Sequence, residues 1–129
     1  MRLSTALAVA AAGFVTGLAA PEAVAQARAD GNYPTILACE AASGVPASRD
    51  TFTLTVAAGR ASYSIAGRET GDGAVSAGRL TLTGRGGGSR PYEARYSGEI
   101  GGRGGLLVGI QTRGSARRAC QMTVGDGRG

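Results

Sequence analysis

Between Asp50 and Ala66, Phe52, Leu54 and Val56 alternate with Thr51, Thr53 and Thr55, and then Ala61, Tyr63 and Ile65 alternate with Ser62 and Ser64. Successive side chains on a strand face opposite sides, so each run offers one apolar and one hydroxyl face. With Gly59 between them, the two runs predict an antiparallel hairpin that turns one side to a core and the other to water.

The same alternation returns along the chain. A first strand is predicted over 32–40, with Leu37 and Cys39 facing the core and Pro34 confining its start to an edge or a bulge. Residues 41–50 lack periodicity and read as a loop. Residues 67–73 read as a polar link, with 74–76 a short strand and 79–83 a clear one through Leu80 and Leu82. The run 84–90 reads as a mobile glycine-rich loop. Tyr92, Ala94, Tyr96, Gly98 and Ile100 share one face of a strand over 92–100, opposite Glu93, Arg95, Ser97 and Glu99. Residues 106–112 are nearly all apolar, so one face is core and Leu107 has to find cover on the other or stay partly exposed. In the last strand, 118–124, Cys120, Met122 and Val124 point one way.

Seven or eight short strands joined by tight turns, with no helical pattern after the first residues, predict an all-β fold: an up-and-down meander closed into a small barrel, or a β-sandwich. The cysteines favour the barrel. Two are present, Cys39 near the start of the folded region and Cys120 near its end, which allows one intrachain pairing. Bridged cysteines have α-carbons within about 7 Å, so the first and last strands are neighbours. A closed meander also leaves no free sheet edge.

The N-terminus has a different character. Met1 and Arg2 precede an uncharged apolar run over 3–20, Pro21, and the small-residue pair Ala25 and Ala27. This is the order of a secretory signal peptide over 1–27, cut after Ala27; an uncleaved anchor is the alternative. A single β domain over 28–129 remains, expected in the periplasm or outside the cell. About a hundred residues bury only roughly two-thirds of their unfolded surface, so a structural disulfide is a useful fastening for an exported chain.

Net charge is +5, and every cation is an arginine. The preferred account of this is compositional: chains rich in Gly, Ala and Arg and poor in Lys are what GC-rich codon usage produces. The alternative is functional, because arginine suits phosphate and carboxylate groups, and its partner would be an anionic envelope polymer or an envelope protein. The arginines are scattered, with only Arg117 and Arg118 adjacent among those after residue 28.

Candidate chemistry is sparse. Without histidine there is no Ser-His-Asp or Cys-His arrangement, and no catalytic residue, cofactor or metal site is expected. Glu93 with Glu99, and Glu69 with Asp72, are the carboxylate pairs close in sequence; the first pair falls on the predicted outer face. The Arg-Gly-Gly runs at 85–87 and 103–105 lack the lysine of a phosphate loop and read as hairpin turns, so no nucleic-acid partner is expected. Tyr63, Tyr92 and Tyr96 are expected to fill the barrel; the alternative is that they line a ligand cavity inside it.

The segments Asp30-Gly31-Asn32-Tyr33, Gly59-Arg60-Ala61-Ser62-Tyr63, Gly78-Arg79-Leu80-Thr81-Leu82-Thr83-Gly84, Tyr92-Glu93-Ala94-Arg95-Tyr96-Ser97-Gly98 and Arg118-Ala119-Cys120, with Cys39, resemble a group of small secreted proteins of Gram-negative bacteria. That resemblance implies export and a compact β fold; the group itself is functionally uncharacterised. A looser similarity in size, export and shape is to periplasmic metalloprotease inhibitors, whose tryptophan-containing strand motif and close cysteine spacing are missing here. The expectation is a non-enzymatic binding or interaction module of the cell envelope with no membrane span after cleavage. A carrier of a small apolar ligand within the barrel and a periplasmic protease inhibitor are the alternatives.

Overall fold

A computed structural model describes residues 29–42 and 44–127. The expected signal peptide lies outside the described residues. Eight antiparallel strands, β1 (Gly31–Cys39), β2 (Ser48–Ala57), β3 (Arg60–Ile65), β4 (Glu69–Ser76), β5 (Arg79–Gly86), β6 (Tyr92–Gly101), β7 (Gly104–Arg113) and β8 (Ala116–Val124), follow one another around a closed barrel. The alternation of the sequence becomes inside and outside. Tyr33, Leu37, Leu54, Val56, Leu80, Leu82, Tyr96, Leu107 and Met122 fill the interior, while the threonines of β2 and the serines of β3 face water.

Both ends of the meander are built by local chemistry. At one end Ala58-Gly59 and Ala77-Gly78 form two-residue turns in which both residues have positive φ (53° and 79°, 52° and 78°), the hand that matches the twist of the flanking strands. The Tyr33 hydroxyl donates to the Ala29 carbonyl and Gly127 N–H to Gly102 O at 3.0 Å, tying the first and last described residues to this end of the barrel. At the opposite end lie the longer connections β1–β2, β5–β6 and the β7–β8 turn, which leave a mouth.

The barrel closes where β1 pairs with β8, from Thr35 opposite Val124 to Cys39 opposite Cys120. Those two cysteines form a disulfide across directly opposed positions, with α-carbons 4.1 Å apart. Glu40 N–H donates to Ala119 O beside them, which makes Cys39 and Cys120 a non-hydrogen-bonded pair, the closer of the two antiparallel spacings. Pro34, with no N–H to give, sits just beyond the end of this seam, and its carbonyl accepts from Gly125 N–H at 2.7 Å. A cystine of this kind is consistent with an oxidising compartment.

Four expectations are corrected. The loop read over 41–50 ends before Ser48, where β2 begins by pairing with Cys39. The stretch read as a polar link over 67–73 is strand from Glu69 onward, and the loop read over 84–90 begins only after Gly86. Glycines hid both extensions, because alternate inward positions are occupied by Gly71, Gly73, Gly84 and Gly86 rather than by apolar side chains. On β7, Leu107 is the core residue and is fully buried, whereas Leu106 (49% exposed) and Val108 (57%) face out. The neighbours decide this: Leu107 is paired with Met122 and Gly109 with Cys120, whose side chains point inward.

Candidate functional site

The first inward residue of β4 is Glu69, a carboxylate only 2% exposed. Four donors converge on it. Its Oε2 accepts from the Tyr63 hydroxyl of β3 and, at 2.9 Å, from the Tyr96 hydroxyl of β6. Its Oε1 accepts from the Tyr92 hydroxyl at 2.7 Å and from Gln111 Nε2 of β7 at 3.0 Å. A buried ionised carboxylate is tolerable when its lone pairs are occupied in this way.

Register places Tyr63, Gln111 and Arg118 on one row of paired residues around the barrel, with Glu69 and Tyr92 one inward position nearer the mouth and Tyr96 one further from it. Tyr63 is paired with Gly71, Gly71 with Gly84, Gly84 with Ala94, Ala94 with Gln111, and Gln111 with Arg118. Small residues on three adjacent strands clear the space into which Tyr63 and Gln111 reach. A β-carbon on Gly84 would stand 2.2 Å from the Tyr63 hydroxyl oxygen and 2.7 Å from Glu69 Oε2, so no larger residue fits there without displacing the cluster.

The network continues to the mouth. Arg118 Nε donates to Gln111 Oε1 at 2.8 Å, which fixes the amide so that its nitrogen faces Glu69, and Arg118 Nη1 donates to Pro46 O at 3.2 Å. Thus Arg118 straps β8 to the β1–β2 connection and brings a positive charge toward the buried carboxylate.

Above this lies a cleft of about 90 Å³ lined by Ala42, Val45, Arg90, Tyr92, Gln111, Arg113, Ala116, Arg117 and Arg118. Ala42 and Val45 are held against each other by reciprocal backbone hydrogen bonds of 3.0 and 2.8 Å, which makes their loop a defined wall. The Arg113 guanidinium carbon lies 5.7 Å from the Tyr92 ring centroid, and Arg113 Nε is buried without a hydrogen-bond partner. Among the described residues, four arginines and no carboxylate line the opening, so its electrostatic field is positive.

Tyr63, Tyr92 and Tyr96, the residues singled out from sequence, all point inward and meet at Glu69; only Tyr92 also borders the cleft. Glu93 and Glu99 are exposed on the outer face, as read from parity. Glu69 and Asp72, paired in sequence, point to opposite sides of β4, Asp72 being exposed. Sequence reading missed Glu69, Gln111, Arg113 and Arg118 as a group. Once the burial of Val75 and Leu107 fixes the parity of β4 and β7, counting back in twos from Val75 reaches Glu69 and counting forward from Leu107 reaches Gln111 and Arg113; the sequence alone left that parity open.

All three phenols are pushed well above their ordinary value of 10.0. For Tyr63 and Tyr92 the causes are burial first and then the hydrogen bond to Glu69; for Tyr96 they are burial and then the negative field of Glu69. A raised phenol stabilises the fold fully below the unfolded value, and that contribution is lost as pH rises above it. Stability should therefore fall above pH 10, as the unfolded chain gives up protons that the barrel retains. In an alkaline titration followed by phenolate absorbance, Tyr63, Tyr92 and Tyr96 are expected to ionise together with unfolding. Gradual ionisation of all phenols near pH 10 in the folded protein would contradict this.

Comparison with protein-family models, with curated proteins and with solved structures finds no match to this chain.

Proposed function

We propose that this is a non-enzymatic, exported binding module that holds an anionic group of an envelope protein or envelope polymer in the arginine-lined mouth of its barrel. The observation that carries the reading is the cleft itself: four arginines around one opening, one of them with a buried N–H donor that no group among the described residues accepts. A buried donor without an acceptor is destabilising by about 1–3 kcal/mol, and an anion would relieve it.

The interior supports a module over a carrier of an apolar ligand. Where a carried molecule would sit, the chain places Tyr33, Leu37, Leu54, Leu82, Tyr96 and Met122, each fully buried, and the polar cluster around Glu69. The outside supports a protein surrounded by water. Thr51, Thr53, Thr55, Arg60, Ser62, Ser64, Arg95 and Glu99 are exposed on the barrel wall, the reverse of the apolar outer band that lipid-spanning barrels need.

Titration with poly-glutamate by calorimetry tests the reading. Binding is expected at 10 mM salt and should weaken about tenfold or more at 150 mM, as the screening length contracts from about 30 to 8 Å. The Arg113→Gln, Arg117→Gln double variant should lose this binding while melting within a few degrees of the parent protein. Binding that is indifferent to salt and to both substitutions would remove the anion site.

A further inference from the structure

The lining of the cleft is divided in a way that selects among anions. Arg90, Arg113 and Arg117 supply the positive side. Arg118 belongs to the lining too, but its Nε and Nη1 are committed to Gln111 and Pro46. The rest of the lining is hydrocarbon, the side chains of Ala42, Val45 and Ala116 and the Tyr92 ring, together with Gln111, whose amide is committed to Glu69, Tyr96 and Arg118. The Tyr92 hydroxyl is turned away to Glu69, so the ring offers the cleft carbon rather than a donor.

We infer that the cleft takes a carboxylate attached to a short aliphatic group, either the C-terminal residue of a peptide or a free short-chain acid. This rests on reading the mouth as an anion site. Phosphate and sulfate are tetrahedral and hydrated on every side, and burying one against three aliphatic side chains strips water from oxygens that find no donor there. An aliphatic carboxylate is polar at one end only. Its two oxygens accept from a guanidinium fork in one plane, and its methyl or methylene groups meet Ala42, Val45 and Ala116. The cation–π contact with the Tyr92 ring holds the Arg113 guanidinium near the opening before the ligand arrives, which limits the loss of side-chain freedom on binding. The opening at the barrel mouth lets a longer chain continue into solvent, so the end of a peptide and a free acid fit by the same contacts.

Calorimetry and chemical-shift mapping with four probes test this on the intact protein: butyrate, acetyl-Ala-Ala as free acid, acetyl-Ala-Ala amide, and inorganic phosphate. The free acids are expected to bind and to shift the amides of Ala42, Val45 and Ala116. The amide should bind at least tenfold more weakly than its acid, and phosphate more weakly than either acid. Tighter binding of the acetylated peptide than of butyrate assigns the chain end as the ligand, and the reverse assigns the free acid. Arg113→Gln should weaken acid binding at least tenfold and Arg113→Lys, which keeps charge without the fork, by an intermediate factor. Phosphate binding as tightly as the acids, or an amide equal to its acid, would overturn the carboxylate assignment and leave the anion site standing. Failure of all the charged probes and of poly-glutamate would overturn both.

Discussion

Replacing Glu69 by alanine is expected to destabilise the barrel by about 3–5 kcal/mol, a large part of the roughly 5–15 kcal/mol that holds a domain of this size together. The reason is the number of groups left behind. Three phenols and the Gln111 amide all donate to this one carboxylate. Each unsatisfied buried donor is destabilising by about 1–3 kcal/mol, less whatever water enters the cavity. Glu69→Gln should be milder, because it keeps the volume and one acceptor but points an NH2 at neighbours that are themselves donors. The informative control removes the three phenol donors and the acceptor together, leaving the Gln111 amide as the one unmatched donor among the four. Glu69→Leu combined with Phe at Tyr63, Tyr92 and Tyr96 should recover much of the loss, since matched removal of hydrogen-bond partners is nearly neutral where removal of one is not. Urea unfolding of the single and combined variants checks this. A Glu69→Ala protein within about 1 kcal/mol of the parent would show that the cluster contributes little to the fold.

That cluster also marks where the sequence could be read and where it could not. Alternation in β2, β3 and β6 was plain, because those strands carry the large side chains: Leu54, Val56, Tyr63, Ala94, Tyr96 and Ile100 are all buried. The two cysteines added the long-range fact that β1 and β8 meet, and closure of the meander followed. The opposite strands were harder. In β4 and β5 the inward positions facing Tyr63 and Tyr92 are glycines, whose lack of a side chain is what lets the aromatic rings lie across the barrel. A strand that contributes space reads like a turn.

Glu69 was obscured for a related reason. Its neighbours in sequence are Arg68, Thr70 and Asp72, which describe a solvated segment, whereas its four partners come from 6 to 42 residues away. Nothing local announces a buried charge. On β7, both parities are apolar, so hydropathy was silent about which face of Leu106, Leu107 and Val108 turns inward. Pairing with Met122 and Cys120 decided it, and the same decision carried Gln111 and Arg113 to the mouth.

Loss of the disulfide is the second large effect expected. Cys39 and Cys120 are 81 residues apart, and in the chain-entropy model opening a loop of that length is worth about 4–5 kcal/mol. For a domain of about a hundred residues this corresponds to a melting temperature lower by about 20 °C. Position adds to length. The β1–β8 seam pairs only from Thr35 to Cys39, whereas β1 and β2 pair along all of Gly31–Cys39, so the bridge fastens the shortest-paired edge of β1. It does so at the mouth. Arg118 lies two residues before Cys120, and the β1–β2 connection that Arg118 grips through Pro46 O starts immediately after Cys39. With the bridge removed, the Glu40–Ala119 backbone hydrogen bond and the contact between Arg118 and Pro46 are left to hold that end of the seam, and the wall formed by Ala42 and Val45 loses its covalent anchor. The Cys39→Ala, Cys120→Ala variant should therefore melt about 20 °C lower and, at temperatures where it is still folded, bind poly-glutamate several-fold more weakly than the parent. Thermal melts with and without reductant, paired with calorimetry well below the variant's midpoint, separate the two effects. An unchanged midpoint would mean that the bridge does not fasten the barrel; a lower midpoint with unchanged affinity would mean that the mouth keeps its shape without it.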